Sequence, residues 1–287
     1  MRAAATLFLA LVYISLGSSE AKILGKAPSA TRAAEPVIIS IAAASDLQFA
    51  LQDLAAQFEK QTGNVDGFAV TQIKVRVTYG SSGNFFSQIQ NGAPFDLFFS
   101  ADSDYPRKLE AAGLAEPGTL YHYAIGRLVL WVPADSQVDV ARRGWDALLD
   151  PAIRKIAIAN PQHAPYGRAA VAALQHAGLY EKVATKLVYG ENISQAAQFV
   201  QSGNAQAGIL AFSLAASPLL REAGKYWEVP ANAHPPIAQA AIVLKSSPNK
   251  EAARAFLAFV KSPAGRALLE KHGFPDPAKP ATPAKTP

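Results

Sequence analysis

Four short segments of the chain each place hydroxyl, amide or backbone N–H groups where an apolar run ends and a helical pattern begins. Their centres are Ser45, Ser82, Tyr166 and the pair Asn192-Ile193. A helix N-terminus carries unpaired N–H groups and a partial positive charge, so each segment is a candidate anion site. Taken singly, each is also typical of an ordinary capped helix. Their recurrence favours a small-anion site that is built from hydrogen-bond donors.

The first of these segments follows the apolar run at residues 37–41. Three alanines at 42–44, too small to fill space, would let a ligand approach the backbone closely. Ser45 and Gln48, three residues later, predict a capping box at the start of a helix. The apolar positions of that helical pattern are Leu47, Leu51, Leu54 and Phe58.

Other site chemistries find less support. The run Gly80-Ser81-Ser82-Gly83 is neither the Gly-x-Ser-x-Gly of a hydrolase nucleophile elbow nor a phosphate-binding P-loop. The five histidines are scattered without an i,i+4 pair, and the chain has no cysteine for a thiolate metal site. His163 could orient the loop before Tyr166, although an exposed loop histidine is the simpler interpretation.

Composition indicates a globular protein with a sizeable core. The 287 residues are 50% apolar and 17% charged, enough for one large or two medium domains. The formal net charge is +5, but part of it lies near the two chain ends. Because the body has no dense basic run with interleaved aromatics, we expect no nucleic-acid partner.

The N-terminal residues 1–21 resemble a secretory signal peptide. Arg2 supplies the basic start, residues 7–16 the apolar stretch, and Ser19 and Ala21 the small residues before a cleavage point. The apolar run is too short for a membrane span. Residues 22–35 then read as a leader linker, and the Pro/Ala/Lys-rich residues 275–287 as a disordered tail.

Between these ends, strand patterns alternate with helical patterns. Residues 37–41, 73–79 and 96–101 read as strands before a break at about 120–126, and further strands follow it. Such alternation predicts βαβ units and an α/β fold with mostly parallel sheets. In open α/β sheets, ligands bind beyond the carboxyl ends of the strands, which is where the four candidate segments lie.

Several of these segments, in the same order, resemble the periplasmic molybdate-binding proteins of ABC importers. The most specific is Gly92-Ala-Pro-Phe-Asp-Leu-Phe-Phe-Ser-Ala-Asp102. The others are residues 42–45, 80–83, 126–130, 159–167 and 190–196. The similarity runs from about Val37 to Phe274.

The resemblance implies a two-lobed, type II periplasmic-binding-protein fold with a ligand cleft between the lobes. Residues 36–121 plus 237–274 would form the first lobe and residues 122–236 the second, with a hinge near 121–126 and 230–237. It also implies a periplasmic, monomeric binding protein, not an enzyme. Such a protein needs no cofactor, holds molybdate or tungstate through hydrogen bonds, and delivers it to the membrane permease of an ABC transporter.

Carried over by position, the resemblance assigns five site residues. Ser45 and Ser82 would offer hydroxyl and backbone N–H groups, and Tyr166 and Ile193 occupy the positions of backbone donors from the second lobe. Many relatives add a tyrosine hydroxyl from a later strand, but residues 210–212 carry no hydroxyl here. We therefore expect Tyr166 to supply that contact.

The fifth site residue, Asp46, departs from relatives that have a neutral residue there. An ionised carboxylate about 4 Å from a dianion would be repulsive, and more so in a dry cleft. We therefore expect Asp46 to point outward, or to act at the helix N-terminus and offer the site only its N–H.

Two alternatives remain open on sequence. The first is a binding protein for sulfate or another tetrahedral oxyanion on the same fold. The second is a serine hydrolase that uses Ser45 or Ser82 with a histidine.

Overall fold

The structure is a computed structural model that describes residues 36–62 and 72–277. The predicted signal peptide and leader linker, and residues 278–287 of the predicted tail, lie outside the described residues. Within the described ranges, no helix is long and apolar enough to cross a membrane.

Strands and helices alternate along most of the described chain. The strands are β1 (Val37–Ala44), β2 (Ile73–Gly80), β3 (Leu97–Ser100), β4 (Tyr121–Gly126), β5 (Leu128–Pro133), β6 (Ile156–Ala159), β7 (Leu187–Gly190), β8 (Ala207–Ala211), β9 (Gly224–Glu228) and β10 (Ile237–Val243). The α-helices are α1 (Gln48–Thr62), α2 (Ser82–Gln90), α3 (Asp104–Ala111), α4 (Val140–Arg143), α5 (Pro165–His176), α6 (Tyr180–Val183), α7 (Ile193–Gln201), α8 (Phe212–Ala215), α9 (Lys250–Lys261) and α10 (Pro263–Lys271). Short 3-10 turns lie at Ser45–Leu47, Gly144–Leu149, Ala184–Lys186 and Ala231–Ala233.

The first sheet has the strand order β2-β1-β3-β10-β4. Strand β1 is parallel to both β2 and β3, and β10 is antiparallel to β3 and β4. Side chains of a strand alternate between two faces. Ile39 and Ile41 accordingly pack in the cluster that holds α1, α9 and α10, whereas Ala42 packs in the cluster that holds α2 and α3. The sheet is therefore covered by helices on both faces, as its apolar strands require.

The second sheet repeats this order with different strands, as β7-β6-β8-β5-β9. Strand β6 is parallel to β7 and β8, and β5 is antiparallel to β8 and β9. Its core includes Leu130 and Trp131 of β5, Leu174 of α5 and Val200 of α7. The predicted α/β architecture of two helix-flanked sheets is therefore present, with each sheet mixed in strand direction.

The chain passes between the sheets at two crossings. In the first, Arg127 alone separates β4 of the first sheet from β5 of the second. In the second, residues 229–236 connect β9 with β10, which pairs with β3 and β4 in the first sheet.

The break predicted at about residues 120–126 is instead a strand of the first sheet, β4 (Tyr121–Gly126). The break interpretation is wrong because β4 pairs with β10, a strand more than a hundred residues later, as in the pair Gly126 and Ile237. By strand pairing, the first crossing falls after Gly126 rather than at residue 121. The lobe bounds themselves stay a prediction.

Candidate functional site

The four candidate segments converge on one small cavity between the two sheets, with a volume of about 10 Å³. All five predicted site residues line it. The lining residues are Ala44, Ser45, Asp46, Gly80, Ser81, Ser82, Ala101, Ala164, Pro165, Tyr166, Asn192 and Ile193. Their roles toward a ligand stay a prediction, but the convergence of the four segments is a property of the fold.

Strand ends explain why these segments meet. Ser45 directly follows β1 and Ser82 begins α2 after β2, so both lie at the carboxyl edge of the first sheet. Tyr166, in the first turn of α5, and Ile193, at the start of α7, follow the parallel strands β6 and β7 of the second sheet. Parallel strands end at the same edge, so each sheet aims two helix starts at the cavity.

Ser45 is 2% exposed, and its hydroxyl reaches across the cavity to the second sheet's side. Its Oγ donates to Oδ1 of Asn192 at 3.1 Å and accepts from the backbone N–H of Ser194 at 3.3 Å. The Ser194 hydroxyl in turn donates to the Ser45 carbonyl at 2.9 Å. The predicted capping box with Gln48 is wrong, because the Ser45 side chain makes its hydrogen bonds to α7 and the turn has no side-chain cap.

Ser82 is fully buried at the start of α2. Its Oγ accepts the backbone N–H of Ala101 at 3.0 Å, which leaves the hydroxyl hydrogen to donate elsewhere. Helix α2 has no side-chain cap, because the preceding Ser81 instead bonds Nδ1 of His163 at 2.9 Å through its Oγ. The interpretation of His163 as an exposed loop residue is therefore wrong; its ring joins the second lobe to the first.

Asn192 caps α7, since its Oδ1 accepts the backbone N–H of Gln195 at 3.1 Å. The same oxygen accepts the Ser45 hydroxyl, so this cap is also a contact between the two sides of the cavity. At the start of α5, Pro165 occupies the first turn, where a missing N–H costs no intrahelical bond.

The Tyr166 hydroxyl points toward the first lobe, where it meets Gln239 and Asp46. The hydroxyl oxygen accepts from Nε2 of Gln239 at 2.9 Å, and it also contacts the Asp46 carboxylate. Burial, and next the negative charge of Asp46, raise the pKa of Tyr166 well above its usual value. The phenol therefore stays protonated at physiological pH and remains a hydrogen-bond donor.

Asp46 is 1% exposed, so the expectation that it points outward is wrong. Its Oδ2 accepts from Nε2 of Gln239 at 2.8 Å, which turns the side chain into the protein. Burial raises the pKa of Asp46 from 3.8 to about 6, against the opposing hydrogen bonds of Gln239, Tyr166 and the backbone N–H groups of Asp46 and Leu47. The carboxylate thus lies at the helix N-terminus. That Asp46 offers the anion only its N–H stays a prediction.

The lining of the cavity contains no lysine, arginine or histidine, and Asp46 is its one ionisable carboxylate. Cations lie outside it: Arg168 of α5 pairs with Asp102, which follows β3, at 2.5 Å between Nη2 and Oδ2. This ion pair and the contact of Asn84 with Glu191 join the two sides at the rim. The arrangement can hold an anion through dipoles and hydroxyls, without a counter-charge.

Three residues of the site were missed or misread from the sequence: Gln239, His163 and Asp46. Gln239 is fully buried on β10. The sequence marks it as unusual, because it is the one polar residue in the strand Ile237–Val243. The sequence offers no comparable signal for the orientation of His163 or Asp46, because His163 is fixed by Ser81 of the opposite lobe and Asp46 by Gln239, 193 residues later in the chain.

Comparison with known proteins matches residues 39–275 to the family of bacterial extracellular solute-binding proteins. The molybdate-binding protein ModA of Azotobacter vinelandii is 38% identical over 242 residues, which cover 84% of this chain and 91% of that protein. ModA of Rhodobacter capsulatus is also 38% identical, over 84% of this chain and 89% of that protein.

Solved structures give the same result. The periplasmic molybdate-binding protein of Azotobacter vinelandii superposes with a TM-score of 0.75 at 36% identity, over 83% of this chain and 99% of that one. The sulfate-binding protein SubI of Mycobacterium tuberculosis superposes with a TM-score of 0.67 at 16% identity, over 84% of this chain and 88% of that one. The second likeness shows a common fold alone.

Proposed function

This chain belongs to the bacterial extracellular solute-binding proteins and, among them, to the ModA family, and on that premise we propose that it captures molybdate or tungstate. The protein would deliver the anion to the membrane permease of an ABC importer. The family assignment confirms the resemblance, the two-lobed fold and the expectation of a binding protein rather than an enzyme.

The observation that carries the proposal is the chemistry of the cavity lining. Two serines and two helix starts on opposite sides offer donors, and no basic side chain lines the cavity. Molybdate is fully deprotonated at neutral pH and therefore only accepts hydrogen bonds. A donor cage of this kind suits such a dianion, and the cage radius would separate molybdate from the smaller sulfate.

The hydrogen bonds that each serine hydroxyl makes in the ligand-free protein indicate how it would donate to the anion. The Ser82 oxygen already accepts the Ala101 N–H, so its hydrogen is available to the anion. The Ser45 hydrogen would turn from Asn192 to the anion, and the Asn192 oxygen would keep its bond from the Gln195 N–H. Backbone N–H groups of Tyr166 and Ile193 would complete the cage. The Tyr166 hydroxyl would turn its hydrogen from Asp46 to the anion as the fifth contact.

Asp46 is compatible with this role because its carboxylate is engaged by Gln239 and by the backbone N–H groups of Asp46 and Leu47. The cost of an anionic carboxylate near a dianion is reduced by those hydrogen bonds, and it vanishes when the carboxyl is protonated. The affinity for hydrogen phosphate, compared with that for molybdate, tests this role of Asp46, because an ionised Asp46 could accept the phosphate proton.

The same proposal includes the setting of the protein. We expect a periplasmic monomer without a nucleic-acid partner, exported by the signal at residues 1–21. The hydrolase alternative is disfavoured because neither Ser45 nor Ser82 hydrogen-bonds a histidine in the described residues. His163 instead bonds Ser81, through Nδ1.

Titration calorimetry of the protein with molybdate, tungstate, sulfate and phosphate tests the proposal. We expect one site per chain for molybdate and tungstate, and binding of sulfate and phosphate at least a hundredfold weaker. Stronger binding of sulfate or phosphate than of molybdate would replace the proposed ligand, and no heat with any of the four would reject the anion site.

A further inference from the structure

Gln239 is a buried amide that bonds both lobes at once. Its Nε2 donates to Oδ2 of Asp46 at 2.8 Å and to the hydroxyl of Tyr166 at 2.9 Å. Asp46 follows β1 of the first sheet, and Tyr166 lies in α5, which follows β6 of the second sheet. An amide nitrogen carries two hydrogens, so these two bonds use its whole donor capacity.

The position of Gln239 in the fold is also unusual. It lies three residues into β10, the strand that enters the first sheet after the second crossing. The pairing of β10 with β4 shifts register between Gln239 and Ala240. Such an irregularity re-aims a side chain, and here it lies where the amide points at the lobe interface.

The first crossing touches the same amide. Gly126 is the last residue of β4, and a Cβ placed on it would lie 2.5 Å from the Tyr166 hydroxyl and 2.8 Å from Gln239 Nε2. Strand residues that flank both crossings, Gly126 and Gln239, therefore lie at the Asp46–Gln239–Tyr166 contact. No residue of the cavity lining other than Asp46 and Tyr166 takes part in this contact.

From this geometry we propose that Gln239 is a positioning residue that links lobe closure to assembly of the anion site, an inference that rests on the proposed function. When the lobes part, the amide keeps Asp46 of its own lobe and loses Tyr166. When they close, it holds the Tyr166 oxygen as an acceptor, so the phenol hydrogen, which bonds the Asp46 carboxylate in the ligand-free protein, can turn to the anion. Gln239 thus sets the place and direction of a second-lobe donor without touching the anion.

The test is a double-substitution cycle with Gln239→Met and Tyr166→Phe, read by molybdate calorimetry and by thermal unfolding of the ligand-free protein. Methionine has nearly the volume of glutamine but no donor. We expect Gln239→Met to weaken molybdate binding about ten- to hundredfold, the effect of one lost bond to a charged group. In the Tyr166→Phe background the same substitution should cost much less, because the amide acts through that hydroxyl.

The matched control is Ser247→Ala. Ser247 is another buried polar residue of the first lobe side that hydrogen-bonds a carboxylate, Asp96, away from the cavity. It should lower the unfolding temperature and leave molybdate affinity at the parental value. A merely structural role of Gln239 would give the same result as this control.

The outcomes separate the inference from the proposed function. A parent protein that binds no molybdate rejects the function. A parent that binds, with a folded Gln239→Met variant of unchanged affinity or with additive losses in the cycle, overturns the role of Gln239. If Gln239→Met does not fold, Gly126→Ala replaces it as the test, because the added methyl group would displace the Tyr166 hydroxyl. We expect this variant to bind molybdate at least tenfold more weakly. A folded Gly126→Ala variant with parental affinity overturns the inference.

Discussion

The two lobes share one strand order yet present different groups to the cavity. In each sheet an interior strand, β1 or β6, has two parallel neighbours, and one strand nearer the other edge, β10 or β5, is antiparallel to both of its neighbours. On the first-lobe side the helix starts at Ser45 and Ser82 have no side-chain cap. On the second-lobe side Asn192 caps α7 with its own side chain.

The two lobes therefore use the same strand order to present hydrogen-bond donors in two different ways. Where the first-lobe serines do not cap their own helices, their hydroxyls are free to bond across the cleft. Where the second lobe caps its helix or begins it with Pro165, its contribution falls to backbone N–H groups and to Tyr166. Substitutions in the first lobe should therefore affect binding, and matched ones in the second lobe should affect stability as well.

The largest expected contrast is between two glycines. A Cβ at Gly83 would lie 2.6 Å from the carbonyl oxygen of His163 in the opposite lobe, and a Cβ at Gly167 would lie 2.2 Å from that of Ala159 in its own lobe. Gly83→Ala should block closure and weaken molybdate binding at least a hundredfold, with little change in unfolding temperature. Gly167→Ala should cost about 3 kcal/mol of stability, the upper end for overpacking.

Calorimetric unfolding, molybdate titration and small-angle scattering of both variants measure this contrast. Gly83→Ala should also keep a larger radius of gyration with molybdate present. An unfolding temperature that falls equally in both variants would contradict the assignment of the Gly83 contact to closure.

Asp46 gives a pH-dependent prediction. Its folded-state pKa of about 6 exceeds the ordinary 3.8, so the folded protein binds the proton more tightly and stability falls as pH rises between these values. The penalty is absent below about pH 4 and complete above about pH 6. Asp46→Asn should remove it, and the variant should gain up to about 3 kcal/mol relative to the parent at pH 7, but not at pH 4.

Asp53→Asn is the matched control, with the opposite sign. Hydrogen bonds from Lys271 and His272 lower the pKa of the Asp53 carboxyl, so its contribution is present at neutral pH and lost in acid. Denaturant unfolding at several pH values from 4 to 8 measures both variants. If the gain of Asp46→Asn is the same at every pH, burial is not the cause of the shift.

Ser45 and Ser82 should each contribute one hydroxyl to the anion. Replacing either with alanine should cost about 1.5–3 kcal/mol of molybdate binding, or roughly ten- to hundredfold in affinity. Ser100→Ala is the control, since Ser100 is buried on the same lobe and its hydroxyl bonds the backbone of Asp102. Parental affinity in both Ser45→Ala and Ser82→Ala would place the site elsewhere.

Tyr166→Phe tests whether the phenol donates to the anion or only covers the cavity. The substitution keeps the ring and removes the oxygen, so a bond to the anion predicts a loss of about 1.5 kcal/mol or more in binding. Tyr123→Phe is the matched control, because that buried hydroxyl donates to the Ser100 carbonyl and does not line the cavity. Unchanged molybdate affinity in Tyr166→Phe would leave the ring as a cover.

The smallest effect is expected at the second-lobe cap. Asn192→Ala removes the cap of α7 and should cost about 1 kcal/mol of stability. Ser262→Ala removes the equivalent cap of α10, where Ser262 accepts the Gly265 N–H at 3.2 Å. Both variants should lose similar stability in chemical unfolding. Only Asn192→Ala should also change molybdate affinity, because of the two cap residues only Asn192 contacts Ser45.

The sequence by itself determines the local part of this architecture. Strand and helix periodicity place the ends of β1, β2, β6 and β7, and the helix starts that follow them are fixed within a few residues. The Asn192 cap is likewise readable, because donor and acceptor lie three residues apart. Resemblance in the strand-end segments then identifies the family, since those segments carry the donors.

Tertiary structure decides what depends on distant residues. Asp46 turns inward because Gln239, 193 residues later, donates to it, and no local pattern encodes that partner. The pairing of β4 with β10 and the bond of Ser81 to His163, 82 residues later, likewise join partners that no local pattern encodes. Periodicity states which face of an element is buried, but the element that covers that face is chosen by packing of the whole chain.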